Sequence, residues 1–182
     1  MDEQLRGRLI KFGDNVNTDV IIHARYLITI DPDELAKHVF EVLGEEYPAR
    51  LKAHQFIVAG ENFGCGSARE QAASAIRGAG IQAVIAKSFA RVFFRNAINE
   101  GLPVLECREL PDRVQDGDAL TVNLAAGTIT HAGQTYAVPA LPDSVRAILD
   151  AGGLLPFLRR QLADGGVPAR DDPRVPRRLG AV

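Results

Sequence analysis

The chain has 182 residues, 46% of them hydrophobic, which indicates one globular domain with a sizeable core. Its 21 basic and 23 acidic residues give a net charge of −2, so charge provides no basis for binding nucleic acid or an anionic membrane. No apolar run approaches the roughly 20 residues of a membrane span, and the charged N-terminus does not resemble a signal peptide. Only two cysteines, Cys65 and Cys107, are present, too few for a disulfide framework. We therefore expect a cytoplasmic protein.

The N-terminal quarter of the sequence predicts a strand, a polar loop and a helix. Residues 7–12 are predicted to form a short strand, and residues 13–19 form the polar loop after it. An apolar stretch over residues 20–29 precedes Asp31, which opens a capping box. Apolar residues then recur at helical spacing as far as Gly44, which predicts one helix between these two residues.

The middle of the sequence alternates between predicted strands and predicted helices. The order strand, helix, strand is that of a βαβ unit, in which the two strands are parallel. The predicted elements are a strand at 55–59, a glycine-rich loop at 60–66, a helix opened by a capping box at Ser67–Glu70, a strand at 81–86, a helix at 88–100 and a strand at 102–106.

The last third of the sequence has the alternation of apolar and polar residues that is typical of an antiparallel meander. Turns at 126–127 and 132–133 separate its strands, and a short helix is predicted over residues 144–152. Gly, Pro, Arg and Asp dominate the C-terminal end. We predict an α/β fold with a mixed sheet in one domain, residues 1–163, followed by a flexible tail, residues 164–182.

The loop over residues 60–70 is the strongest candidate for a functional site. It follows a strand and precedes a helix, and ligands of open α/β folds bind at the carboxyl ends of strands. Free N–H groups at a helix start favour anions, and the forked cation of Arg69 matches a carboxylate. Ser67 is predicted at the N-cap, where the helix and a nearby guanidinium would stabilise its alkoxide. This combination suggests a dicarboxylate site with a serine that carries a proton.

Other interpretations of this loop remain open on composition alone. Ser67 is also a common N-cap residue with no chemical role. A phosphate site is disfavoured because no Gly-Lys-Ser/Thr follows. Cys65 could be a nucleophile, but no histidine lies near it in sequence. The four histidines, His23, His38, His54 and His131, have no metal-ligand spacing, and two cysteines cannot fully ligate an iron–sulfur cluster.

Several separated motifs make the chain resemble the small subunits of the aconitase family. These motifs occur in the family's order within residues 6–125, and they most resemble the small subunits of 3-isopropylmalate dehydratase and of its homoaconitase relatives. They are Gly13–Asp19, Ala24–Leu27, Asn62–Glu70, Lys87–Arg91, Asn96–Asn99 and Gly101–Pro103. The resemblance implies a swivel-type domain with a β/β/α arrangement.

The resemblance also implies a role for each matched residue. Ser67 is similar to the family's catalytic base, and Arg69 to the residue that binds a substrate carboxylate. The substrate-binding residues implied in the same way are Thr18, Asp19, Arg25, Tyr26, Leu27, Ile28 and Gly66. The implied activity is a hydro-lyase that interconverts 2-isopropylmalate and 3-isopropylmalate in leucine biosynthesis. The implied partner is a large subunit that carries a [4Fe-4S] cluster, so this chain would bind no cofactor itself and would be inactive alone.

Ile28 is the residue that most affects the expected substrate. Homoaconitase-like relatives tend to have Arg here, whereas Ile28 offers an apolar wall, worth about 1–3 kcal/mol for a branched alkyl arm. Alternatively, Ile28 only continues an apolar strand that starts at Val20. Ala68, Gln71 and His23 depart from the family pattern of Ser, His and Pro.

These departures keep other functions open. Homoaconitase, citramalate dehydratase and dimethylmalate dehydratase small subunits are the alternatives within the family. A carboxylate-binding module without catalytic activity and an independent thiol enzyme that uses Cys65 are the alternatives outside it.

Overall fold

The computed structural model describes residues 4–163, so the tail predicted over residues 164–182 lies outside the described residues. The strands are β1 Gln4–Lys11, β2 Phe56–Ala59, β3 Ala83–Ala86, β4 Val104–Glu106, β5 Ala119–Asn123, β6 Thr128–His131 and β7 Gln134–Ala137. The α-helices are α1 Thr18–Ile21, α2 Pro32–Ala36, α3 Tyr47–Lys52, α4 Glu70–Gly78, α5 Arg91–Asn99, α6 Asp143–Asp150 and α7 Leu154–Ala163. Short 3₁₀ helices occur at Ala24–Tyr26, Glu41–Leu43 and Leu110–Asp112.

The seven strands form one mixed sheet in the order β4-β3-β2-β1-β5-β6-β7. Strands β1 to β4 are parallel, and β5 to β7 form an antiparallel meander. Strand β1 joins the two halves because its residues 4–8 pair with β5 while residues 9–11 pair with β2. The predicted α/β fold with a mixed sheet is therefore confirmed.

Two buried clusters pack on opposite faces of the parallel strands. Neighbouring residues of β1 point into different clusters: Ile10 lies with the helices, and Leu9 lies with the meander. This alternation follows from the two-residue period of a strand. Helices α2, α4 and α5 cover the first face, while the meander covers the second. Within residues 4–163, no helix combines the length and the apolar character needed to cross a membrane.

The region between β1 and β2 differs from its prediction. Asp31 caps α2 as expected, accepting a hydrogen bond from the Asp33 N–H at 2.9 Å. The helix nevertheless ends at Ala36, because the Lys37 and His38 N–H groups donate to carbonyls three residues back rather than four. The chain then passes through Phe40, whose φ of 57° is left-handed, into a 3₁₀ helix. The apolar stretch over residues 20–29 forms helical turns rather than a strand.

Candidate active site

Three loops meet at the carboxyl ends of β1, β2 and β3. The central one, residues 60–69, is called the glycine loop below. The Gly64 N–H donates to the Val16 carbonyl at 2.8 Å, and the Thr18 N–H donates to the Cys65 carbonyl at the same distance. On the other side, the Phe63 N–H donates to the Ser88 carbonyl at 3.0 Å. Backbone hydrogen bonds thus fix the glycine loop from both sides, at the sheet edge where ligands of such folds bind.

Two glycines of this loop occupy positions where a side chain would be strained and would overlap a neighbour. Gly64 has φ 77°, and a Cβ there would collide with the Phe93 ring. Gly66 has φ 92°, and a Cβ there would collide with the Asn17 side chain. These positions favour glycine for both reasons. The backbone can therefore follow this path past Cys65 and into Ser67 because both positions are glycine.

Ser67 lies on the outer edge of the loop with its side chain exposed. Among the described residues its hydroxyl has no hydrogen-bond partner, while its carbonyl accepts from Thr18 Oγ1 at 2.9 Å and from the Arg69 N–H at 2.8 Å. Helix α4 begins at Glu70, and Arg69 occupies the N-cap without a side-chain capping bond. The prediction that Ser67 caps this helix is wrong, because the turn from Gly66 to Arg69 delays the helix start. The hydroxyl is consequently not occupied by capping.

Arg69 is the charged residue nearest to Ser67 in the loop, and its side chain is only 16% exposed. Its guanidinium forms an ion pair with the half-exposed carboxylate of Asp19 and donates to the Ile22 carbonyl at 3.3 Å. Thr18, next in sequence to Asp19, is 1% exposed and holds the Ser67 carbonyl. The structure therefore brings four of the sequence-predicted residues into one cluster with Gly66.

The remaining predicted residues lie on an adjoining segment, residues 24–30, called the recognition segment below. It starts with a 3₁₀ turn whose N-cap, His23, accepts from the Arg25 N–H through Nδ1 at 3.2 Å. The Tyr26 ring stacks on His38, with centroids 3.7 Å apart and planes 4° apart. Because Ile22 accepts a hydrogen bond from Arg69, the start of this segment is tied to the glycine loop.

Glu41 completes the surroundings of Tyr26. Its carboxylate lies 2.8 Å from His38 Nδ1. The hydrogen bond that Glu41 accepts from the Tyr26 hydroxyl raises the pKa of that hydroxyl and lowers the pKa of the Glu41 carboxyl. A pocket of about 160 Å³ opens beside these residues and is also lined by Arg25 and Glu45. Arg25 is exposed, with its guanidinium 5.6 Å from the centre of the Tyr26 ring.

Ile28 extends away from the fold, with 94% of its surface exposed. The alternative that it fills an apolar strand is wrong, because no strand forms here and the side chain is not packed. Leu27, its neighbour, packs against the helix-side core. An almost fully exposed isoleucine that follows a packed leucine is available to contact a ligand or a partner chain.

Sequence reasoning missed two residues of this neighbourhood, His38 and Glu41. They were assigned to one long helix, where a His and a Glu three residues apart indicate only a surface pair. The left-handed turn at Phe40 changes their direction. The spacing of His38 and Glu41 was the only feature of the sequence that pointed to their contact. It did not indicate that Tyr26 packs beside them.

The described residues contain no group of three or more His, Cys, Asp or Glu side chains that could hold a metal ion. The backbone carbonyl of Cys65 accepts a hydrogen bond from the Thr18 N–H. Cys65 and Cys107 both have free thiols; Cys65 is half-buried and Cys107 is buried. Neither is paired with a histidine in the described part of the chain. This donor set does not fit an iron–sulfur cluster held by this chain.

The fold and the loop define a known class of protein domain. Residues 11–110 match the Aconitase C-terminal domain, and the chain belongs to this family, in its branch of 3-isopropylmalate dehydratase small subunits.

Individual relatives resemble the chain over nearly their whole length. It is 54% identical to 3-isopropylmalate dehydratase small subunit 1 of Archaeoglobus fulgidus, over 84% of this chain and 96% of the relative. It is 47% identical to the isopropylmalate/citramalate isomerase small subunit of Methanocaldococcus jannaschii, over 88% and 96% respectively. The crystal structure of a 3-isopropylmalate dehydratase from that organism superposes with a TM-score of 0.81 at 46% identity, over 89% of this chain and 98% of that one.

Proposed function

We propose that this chain is the small subunit of a hydro-lyase that interconverts 2-isopropylmalate and 3-isopropylmalate, and that it is active only with a large subunit. The observation that carries the proposal is the identity of 46–54% to small subunits of this name over at least 84% of the chain. The exposed Ser67 hydroxyl, two residues before Arg69 in the glycine loop, supplies the chemistry that such a reaction needs. Free thiols at Cys65 and Cys107 are consistent with a cytoplasmic location.

In this proposal Ser67 is the base and Arg69 binds a carboxylate. The Ser67 alkoxide removes the proton from the carbon next to a substrate carboxylate, and the hydroxyl group on the neighbouring carbon leaves as hydroxide to give an alkene. Hydroxide then adds to the carbon that lost the proton, while Ser67 returns that proton to the carbon that lost the hydroxyl group, which regenerates the alkoxide. The Arg69 cation favours the alkoxide over the neutral hydroxyl and can hold a carboxylate with two parallel hydrogen bonds.

The structure changes the roles proposed for Thr18 and Asp19. Thr18 is buried and donates to the Ser67 carbonyl, so we assign it to positioning the base rather than to contacting substrate. Asp19 pairs with Arg69 and thereby orients the guanidinium. The pair also holds Arg69 in place before a substrate carboxylate arrives, which reduces the ordering needed on binding.

The cofactor belongs to the partner in this proposal. The described residues provide no ligand set for a cluster, so we assign the expected [4Fe-4S] cluster to the large subunit. When bound there, the cluster would supply Lewis-acid chemistry to the substrate. Ser67 and Ala68 are exposed on this chain, so the active site would form where the two subunits meet.

Ile28 is proposed to contact the variable arm of the substrate. Its exposed apolar side chain suits an isopropyl group and offers no charge to a third carboxylate. Citramalate, which carries a methyl group, is the second candidate substrate, because the Methanocaldococcus jannaschii relative is named for both isopropylmalate and citramalate. An apolar wall distinguishes two such arms only weakly, by about 1–3 kcal/mol.

The test is an anaerobic purification of the tagged chain from its own host. The eluate is examined for a large partner and for cluster absorbance, and is assayed with 3-isopropylmalate, citramalate and homocitrate. We expect a partner, a brown colour and the highest kcat/KM with 3-isopropylmalate. Turnover of homocitrate alone would move the chain to the homoaconitase alternative, and a colourless, inactive chain without a partner would contradict the proposal.

A further inference from the structure

The recognition segment is held at its base rather than along its length. Ile28 and Ile30 are 94% and 80% exposed, so core packing does not fix their positions. The Leu27 N–H donates to the Ala24 carbonyl at 3.1 Å, which closes the first turn but reaches no other element. The place of Ile28 therefore depends on the two residues before it, Tyr26 and Leu27, which both pack against the helix-side core. Of the two, Tyr26 also stacks on His38.

His38 contacts both Tyr26 and Glu41. The stacked rings of Tyr26 and His38 have centroids 3.7 Å apart. His38 Nδ1 lies 2.8 Å from Glu41 Oε2, and Tyr26 and Glu41 line the same pocket. Stacking restrains the plane of the tyrosine ring. The Glu41 carboxylate in turn restrains the His38 ring on which Tyr26 stacks.

His38 and Glu41 are themselves firmly placed. They flank Phe40, which is fully buried, stacks on Phe12 with centroids 4.4 Å apart, and donates its N–H to the Ile21 carbonyl at 2.8 Å. The cluster thus connects the exposed segment to an anchored part of the helix-side core. At the other end of the same turn, the Arg69 guanidinium holds the Ile22 carbonyl.

We infer that His38 and Glu41 are positioning residues for substrate selection, acting through Tyr26 to fix where the Ile28 side chain lies relative to Ser67 and Arg69. This inference rests on the proposed function of the site. Displacing an apolar wall alters contact with the substrate arm and leaves the proton transfer at Ser67 intact. The effect should therefore fall on KM and on the preference between substrates more than on kcat.

Three variants separate the contacts of the cluster. His38→Ala removes the stack and the carboxylate contact, His38→Phe keeps an aromatic ring for the stack, and Glu41→Gln removes the charge. His131→Ala is the matched control, since His131 Nε2 contacts the Asp118 carboxylate at 3.0 Å in the meander, away from the site. Each variant is assembled with the large subunit and assayed with 3-isopropylmalate and citramalate.

We expect His38→Ala to change the ratio of the two kcat/KM values by about three- to tenfold, mainly through KM. In His38→Phe the ratio should return part of the way to the wild-type value, and in the His131→Ala control it should equal the wild-type value. Hydrogen–deuterium exchange over residues 24–30 of the full chain should accelerate in His38→Ala and Glu41→Gln but not in the control.

Unchanged selectivity in an active His38→Ala complex, together with unchanged exchange, would overturn the inference. Failure of the proposed function has a different signature, because the wild-type complex would then turn over neither substrate. In that case faster exchange over residues 24–30 still supports the positioning role, and unchanged exchange contradicts it.

Discussion

The glycine loop and the recognition segment adjoin each other but are built in different ways. The loop is fixed by backbone hydrogen bonds to both neighbouring loops, and Gly64 and Gly66 leave no room for side chains. The segment carries Ile28 and Ile30 in the open and is held through the side chains of Tyr26 and Leu27. Chemistry that depends on backbone geometry tolerates little change, whereas recognition that depends on side chains can be altered one residue at a time.

This division suits the proposed reaction. A proton transfer requires catalytic groups within about 0.5 Å of their productive geometry, which a rigid loop provides. In the proposed reaction, substrates that differ in an alkyl arm would present the same reacting atoms to Ser67 and Arg69 and would differ only at Ile28. Substitutions in the loop should therefore reduce all activities together, while substitutions in the segment should change their ratio.

Arg69→Gln should have the largest effect among substitutions other than at Ser67 itself. It removes the cation that we propose to bind the carboxylate and leaves Asp19 without its partner, so we expect kcat/KM to fall by about 10²–10³ with every substrate. The kcat/KM of Arg69→Lys should lie between those of the wild type and Arg69→Gln, because lysine keeps the positive charge but lacks the forked guanidinium. Steady-state kinetics of the assembled complex measure both.

The control for this prediction is Arg146→Gln, which removes an exposed ion pair with Asp143 on α6. Surface pairs contribute about 0–1 kcal/mol, so its activity and stability should match the wild type. Equal kinetics for Arg69→Gln and Arg146→Gln would show that Arg69 does not bind substrate.

Ile28→Arg should have an intermediate effect that depends on the substrate. A guanidinium at this position can pair with a third carboxylate and opposes an isopropyl arm, so the preference should shift towards homocitrate by about tenfold. Stability should change by less than about 0.5 kcal/mol because the residue is exposed. Ile30→Arg, in the same segment and 80% exposed, is the matched control. An equal shift in both variants would contradict a specific role for Ile28.

Thr18→Val should have the smallest effect on turnover. The substitution keeps the shape of the buried side chain but removes the hydroxyl that donates to the Ser67 carbonyl at 2.9 Å. We expect a loss of about 1 kcal/mol in the free energy of unfolding and a several-fold lower kcat. Thr18→Ser should keep both the free energy of unfolding and kcat near their wild-type values. Thr130→Val in the meander should not affect kcat. Denaturant titrations and kinetics decide between these outcomes.

Periodicity predicted most of the fold correctly. The four parallel strands and the three meander strands lie where the runs of apolar residues indicated, because strand pairing and burial follow local pattern. The prediction of one long helix after Asp31 was wrong, because packing in the folded chain holds Phe40 in a left-handed conformation. Phe40 is fully buried against Phe12, and that packing lies outside what sequence spacing can express.

The residues of the candidate site could be proposed from the sequence, whereas their geometry could not. The motif around Ser67 and Arg69 identified the loop, yet the start of α4 at Glu70 shows that a capping pattern was misplaced by the turn at Gly66. The exposure of Ile28 and the burial of Thr18 also required the structure. His38 and Glu41 could not be assigned, because the contact of His38 with Tyr26 joins segments that only the folded chain brings together.

The most direct test of the account is the turnover of 3-isopropylmalate by the assembled complex carrying Ser67→Ala, compared with Ser144→Ala, an exposed serine on α6. Loss of a positioned base should lower kcat by about 10²–10⁴ while assembly and cluster absorbance stay unchanged. The Ser144→Ala complex should behave as the wild type. Full turnover by the assembled Ser67→Ala complex would contradict the central claim that Ser67 moves the proton.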